Sequence, residues 1–117
     1  MAYKPRITEK TLTLKGATVA AGSYVLWRAT VPCRVVAVRA YRVGGTDTPF
    51  NATKNGVNML TANGTTPAAS TWASGTLAAP ASVRLAEGDT LAAVVGALGG
   101  TPTDIIVQID IRKDAAY

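Results

Sequence analysis

The stretch Pro32–Val43, PCRVVAVRAYRV, decides the class of fold. It holds four valines, a tyrosine and a cysteine, and neither glycine nor an acidic residue. Such a density of β-branched residues favours extended backbone. Read at period two, Val36, Val38 and Ala40 share a face flanked by Arg34 and Arg42. Cys33, Val35, Ala37, Arg39, Tyr41 and Val43 share the other. Both faces are largely apolar, which predicts a central strand covered on both sides. Gly44-Gly45 ends it.

Outward from this strand the chain reads as more short strands separated by turn residues. Before it lies Ser23–Val31, in which Val25, Trp27, Ala29 and Val31 alternate with Tyr24, Leu26, Arg28 and Thr30, a strand with one core-facing side. Pro32 makes a corner or a bulge between the two. After it, Phe50–Lys54 leads into Asn55-Gly56, the pair that a type I′ hairpin turn demands because both central residues need positive φ. Gly56–Leu60 is the expected return strand. Residues 65–81 turn to Thr, Ala, Ser, Gly and Pro, with Trp72 alone among them and a short strand over Ser70–Leu77. Ala81–Leu85 reads as an edge strand, Glu87-Gly88-Asp89 as a tight turn, and Thr90–Val95 as a buried strand. Asp104–Arg112 has the cleanest alternation: Ile105, Val107, Ile109 and Ile111 face in, while Asp104, Ile106, Gln108, Asp110 and Arg112 face out. No helical period is sustained over eleven residues. The pattern predicts an all-β, single-domain antiparallel sandwich of the jelly-roll kind.

The totals agree with one domain. The chain has 117 residues, 48% of them apolar and 16% charged, enough to bury a core without disulfides or metal. Residues 1–15 differ from the rest. Lys4, Arg6, Lys10 and Lys15 sit among threonines with only Glu9 opposing them, and this reads as an extended basic arm ahead of a sandwich domain over 16–117. The opening MAYKPRITEKTL lacks an apolar signal core, so synthesis in the cytoplasm without export is expected. No apolar run approaches the roughly 18 residues that cross a membrane.

Chemistry is hard to find. The chain contains no histidine, which removes the usual general base, the common triads and the commonest zinc ligand. Cys33, within an apolar strand, reads as a small buried thiol. Glu87, Asp89, Asp104, Asp110 and Asp114 fall in turns or on a solvent face rather than in a cleft, and Asp89 is expected to close its own turn. The glycine clusters match neither phosphate-cradling pattern, and read as turns. We therefore expect no enzyme, no metal and no cofactor. The net charge of +5 admits nucleic acid. Arg28, Arg34, Arg39 and Arg42 form a run without an intervening acid, but only Tyr41 is close enough to stack a base, and on the other parity from Arg34 and Arg42. Pairing with acids of the same or a neighbouring subunit is the expectation for these arginines. Trp72 reads as a plug holding its loop to the core. Its alternative role is a ligand platform, with Tyr41 as the second aromatic.

Several pieces together carry a resemblance: VVAVRAYRV, the polar loop to FNATKNGVNML, the Thr/Ala/Ser stretch with one Trp, LAEGDTLAAVV, and the terminal DIIVQIDIR. Over residues 19–112 the chain resembles the small jelly-roll proteins of tailed-bacteriophage virions, in particular head decoration (cement or auxiliary capsid) proteins. The resemblance is one of pattern and transfers no catalytic residue. It implies a structural protein on the exterior of the virion that binds the major capsid protein and stabilises the shell, often as a homotrimer. It also implies an N-terminal arm on the capsid, for which Lys4, Arg6 and Lys10 would meet acidic surface and Ile7 and Leu12 would seat in shallow grooves. The alternative is a carbohydrate- or receptor-binding sandwich of a phage tail or fibre, with its ligand at Trp72 and Tyr41.

Overall fold

The computed structural model describes residues 7–113 as two antiparallel sheets. Nine strands form, β1 (Ile7–Lys15), β2 (Gly22–Arg28), β3 (Cys33–Gly44), β4 (Phe50–Lys54), β5 (Val57–Asn58), β6 (Ala73–Ser74), β7 (Arg84–Leu85), β8 (Thr90–Val95) and β9 (Pro102–Lys113). One sheet runs β1-β9-β3, with β6 and β7 both on the far edge of β3; the other runs β2-β8-β4-β5. If β6 and β7 count as one lane, the chain fills eight lanes and switches sheets between most successive strands. This is the jelly roll, two interleaved Greek keys.

The core fills the space between the sheets. From β9 come Ile105, Val107, Ile109 and Ile111, all buried, so the alternation read in the sequence holds. Facing them are Leu91, Ala93 and Val95 of β8 and Phe50 and Ala52 of β4. The β4–β5 hairpin closes through Asn55 and Gly56 at φ 52° and 86°, the type I′ geometry their identities predict.

β3 departs from simple alternation, and the departure has a local cause. Its register against β9 shifts between Val35 and Ala37, a β-bulge at Val36. Before the bulge Cys33 and Val35 point inward; after it Val38, Ala40 and Arg42 do. The strand is therefore central in its sheet but covered on one face only. Arg39, Tyr41 and Val43 lie half-buried on the outer face, against the expectation of cover on both sides. A second bulge between Val25 and Trp27 acts in the same way on β2. Tyr24, Leu26 and Trp27 pack on the core while Val25 stands 72% exposed.

Two other expectations need correction. Residues Ile7–Lys15 are extended, as read, but they are not an arm outside the sandwich. They form an edge strand paired residue for residue with β9, from Ile7↔Arg112 to Lys15↔Asp104. The cause is a hidden alternation: Thr8, Lys10, Leu12 and Leu14 oppose the inward isoleucines and valine of β9, and Leu14 is buried. Ala81–Leu85 is not one strand. Pro80–Val83 makes a single helical turn, α1, with proline preset at its start, and only Arg84–Leu85 pair with β3.

Candidate binding surface

The outer face of the β1-β9-β3 sheet collects most of the groups able to bind a partner. Cross-strand register places Arg34 of β3 opposite Arg112 of β9 on one side and opposite Arg84 of β7 on the other. Three arginines thus lie side by side across three strands. Further along, Arg39 Nη2 stands 3.4 Å from the Asp110 carboxylate, which also accepts a bond from Gln108 Nε2 at 3.0 Å. Lys15 and Asp104 form a looser pair at 3.7 Å.

Between β6 and β7 the edge of β3 has no strand partner among the described residues, and a cleft of about 280 Å³ opens there. Val36, Leu77, Pro80 and Val83 line it, with Arg34 and Arg84 at its polar rim. Lys54 braces the wall by donating to the carbonyls of Ala81 and Arg84 at 2.8 and 3.0 Å.

The same face brings Tyr41 and Trp72 together. Their ring centroids are 5.1 Å apart with planes tilted by 51°. Trp72 is 47% exposed and lies on the outside of the sheet, so it does not plug the core. It still anchors its loop, whose backbone bonds to β3 through Ser70 N to Arg42 O and Gly75 N to Val38 O. The bulge at Val36 is what sets Tyr41 on the face of Arg34, contrary to a linear parity count.

The residues expected to contact a capsid are scattered. Ile7 is 62% exposed at the start of β1. Lys10 and Leu12 point the other way, into the sandwich: the Lys10 ammonium sits 4.9 Å from the Trp27 ring centroid, a cation–π contact, and Leu12 packs on the core. Neither is displayed to a partner as expected. Lys4 and Arg6 lie outside the described residues. Of the arginine run, Arg39 pairs with an acid as read, whereas Arg42 is buried and bonds to backbone carbonyls. The Arg34–Arg84–Arg112 row was not legible, because it joins three strands whose register no local signal specifies. Only the outward parity of Arg112 hinted at it.

Asp89 does close its turn. Its carboxylate accepts from Asn55 Nδ2 at 3.0 Å and Ala86 N at 2.8 Å, and Asn55 Oδ1 accepts from Thr90 N at 2.8 Å. The Asn55 bond, then the Ala86 amide, hold its pKa below the ordinary aspartate value. A lowered folded pKa contributes stability that is full above the unfolded pKa and lost as pH falls through the folded one. In urea unfolding, Asp89→Asn should therefore lose stability modestly at pH 7, and the difference from wild type should shrink below about pH 4. A difference that stayed constant down to pH 2 would contradict this assignment.

Among the described residues no three His, Cys, Asp or Glu side chains gather to hold a metal ion, and Cys33 is buried. The surface offers charge, apolar contact and an aromatic pair. These suit binding. Comparison with family models, curated proteins and solved structures found no match for this chain.

Proposed function

We propose that this protein is a structural virion component that docks on the outer surface of a phage capsid and stabilises it, assembled as a homotrimer. The observation that carries the reading is the jelly-roll strand order, β1-β9-β3 over β2-β8-β4-β5, which is the fold that the resemblance to head decoration proteins implied. Exposed apolar side chains on three edge strands, Ile7 on β1, Val25 on β2 and Val57 on β5, add surface that subunit contacts would cover. The test is co-sedimentation with mature heads stripped of auxiliary proteins, together with light scattering of the free protein. Saturable binding in threes to a fixed site on the capsid lattice is expected. A monomer that leaves heads unbound would sink the proposal.

The Tyr41–Trp72 pair favours a second reading, a carbohydrate-binding sandwich, since exposed aromatic faces stack on sugar rings. Under the capsid reading, Trp72→Ala should keep head binding within about two-fold, the scale of a neutral rim contact. If the variant folds normally but loses binding to a glycan array that wild type recognises, the carbohydrate reading takes precedence.

A further inference from the structure

We propose that the Arg34–Arg84–Arg112 row and the cleft beside it form a docking site for an acidic, partly apolar segment of a partner protein. This inference does not need the capsid reading. It rests on three features of the same corner of the fold.

The first is electrostatic. Arg34 opposes Arg112 and Arg84 directly, and like charges so placed destabilise a sheet. No ion pair joins any of the three to an acid among the described residues. The acids nearest by register are Glu9 and Asp110, and Asp110 is already engaged by Arg39 and Gln108. The row therefore holds three guanidinium groups that no described acid pairs with, and the arginine fork matches carboxylates in bidentate fashion.

The second is the cleft. Its walls are the aliphatic groups of Val36, Leu77, Pro80 and Val83, and two of the three arginines stand at its rim. An occupant with an apolar side chain beside carboxylates satisfies both parts. In extended backbone, alternate residues lie about 7 Å apart on one face, and neighbouring strands about 4.8 Å apart. Two carboxylates two residues apart can therefore reach across a row of three arginines.

The third feature separates protein from nucleic acid. A single strand needs aromatic platforms next to its phosphate contacts. The Tyr41–Trp72 pair lies seven positions along β3 from Arg34, roughly 20 Å away at strand rise. The neutralised Arg39–Asp110 pair stands between them. Next to the row itself the lining is aliphatic.

The test uses the full chain and fluorescence anisotropy with three labelled probes, the peptides Glu-Leu-Glu-Leu-Glu and Gln-Leu-Gln-Leu-Gln and a twenty-residue oligothymidylate. Wild type should bind the glutamate peptide, more weakly as salt rises, and at least ten-fold tighter than the glutamine peptide. The double variant Arg34→Gln/Arg84→Gln should lose at least ten-fold in affinity for the glutamate peptide. Its melting temperature should stay level or rise, because the like-charge opposition is relieved; arginines serving only as structural props would instead lower it. Equal binding of the two peptides, unchanged binding by the double variant, or a fall in its melting temperature would overturn the proposal. So would retention of the oligothymidylate with no binding of the glutamate peptide, which would reassign the row to nucleic acid.

Discussion

Replacing Arg42 with alanine is expected to destabilise the protein by roughly 3–4 kcal/mol, the scale of a buried polar network left without its centre. Arg42 is 1% exposed, on the inner side of β3. Its Nε and Nη2 donate to the Thr66 carbonyl at 2.9 and 2.7 Å, and its Nη1 donates to the Gly44 carbonyl. No carboxylate among the described residues pairs with it directly. Asp47 acts one step away, accepting from Thr66 N at 2.8 Å, while the Thr66 hydroxyl accepts from Thr48 N at 2.9 Å. The guanidinium thus pins the loop after β5 to the loop after β3. Alanine leaves the carbonyls without donors and a void where the side chain lay. Urea unfolding should show a lower midpoint with little change in slope. Arg42→Lys should lie in between, since one ammonium cannot reproduce the planar fork. Arg42→Met separates charge from packing: it fills the volume but donates nothing. Methionine matching wild type would mean that desolvating the charge costs as much as its bonds return, and would remove Arg42 as the clamp.

Arg42 also shows where the sequence is legible and where it is not. The local signals were sufficient where geometry is local. Strict alternation marked β9, and Asn55-Gly56 marked its hairpin through the φ values those residues tolerate. The same reasoning put Arg34 and Arg42 on one face of β3, and it failed there because one extra residue at Val36 inverts every later side chain. Nothing in VVAVRAYRV distinguishes a bulged valine from a regular one. β1 was misread for a different reason. Its inward set of Thr8, Lys10, Leu12 and Leu14 is only half apolar, and Lys10 becomes an inner residue by laying its ammonium on Trp27, a partner far along the chain. The candidate site was less legible than the fold. Tyr41 and Trp72 stand out together as the aromatic pair of a candidate platform, and the loop path along β3 brings their rings into contact. The arginine row depends wholly on register.

The bulge therefore has consequences at both ends of β3. It turns Arg42 inward to fasten loops, and it leaves Arg34 outward beside Arg84 and Arg112. Near the bulge, the gap between β6 and β7 exposes the cleft. One local irregularity both stabilises the end of the sandwich near Gly44 and shapes the binding corner at the other end.

At the Gly44 end the largest single-residue effect outside Arg42 is expected at Gly99. The glycine clusters 44–45 and 99–100 are turns, as read, but they also face each other. Thr46 N donates to Gly99 O at 2.9 Å, and Gly99 N donates to Asp47 O at 2.6 Å. A Cβ on Gly99 would overlap the Asp47 carbonyl oxygen and lie 2.8 Å from the Asp47 amide nitrogen. These are backbone atoms in hydrogen-bonded loops, so they cannot rotate aside as a side chain would. Gly99→Ala should cost about 3 kcal/mol, the upper part of the range for overpacking. Gly56→Ala is the control: unlike Gly99 it has a positive φ, but no described residue lies within 4 Å of its Cβ, so it should cost about 1 kcal/mol from backbone strain alone. Because Asp47 binds both Gly99 and Thr66, the Gly99 and Arg42 sites share one loop. The double variant Gly99→Ala/Arg42→Ala should lose less than the sum of the singles, since either change already releases that loop. Additive losses within about 0.5 kcal/mol would show instead that the two loops are held independently.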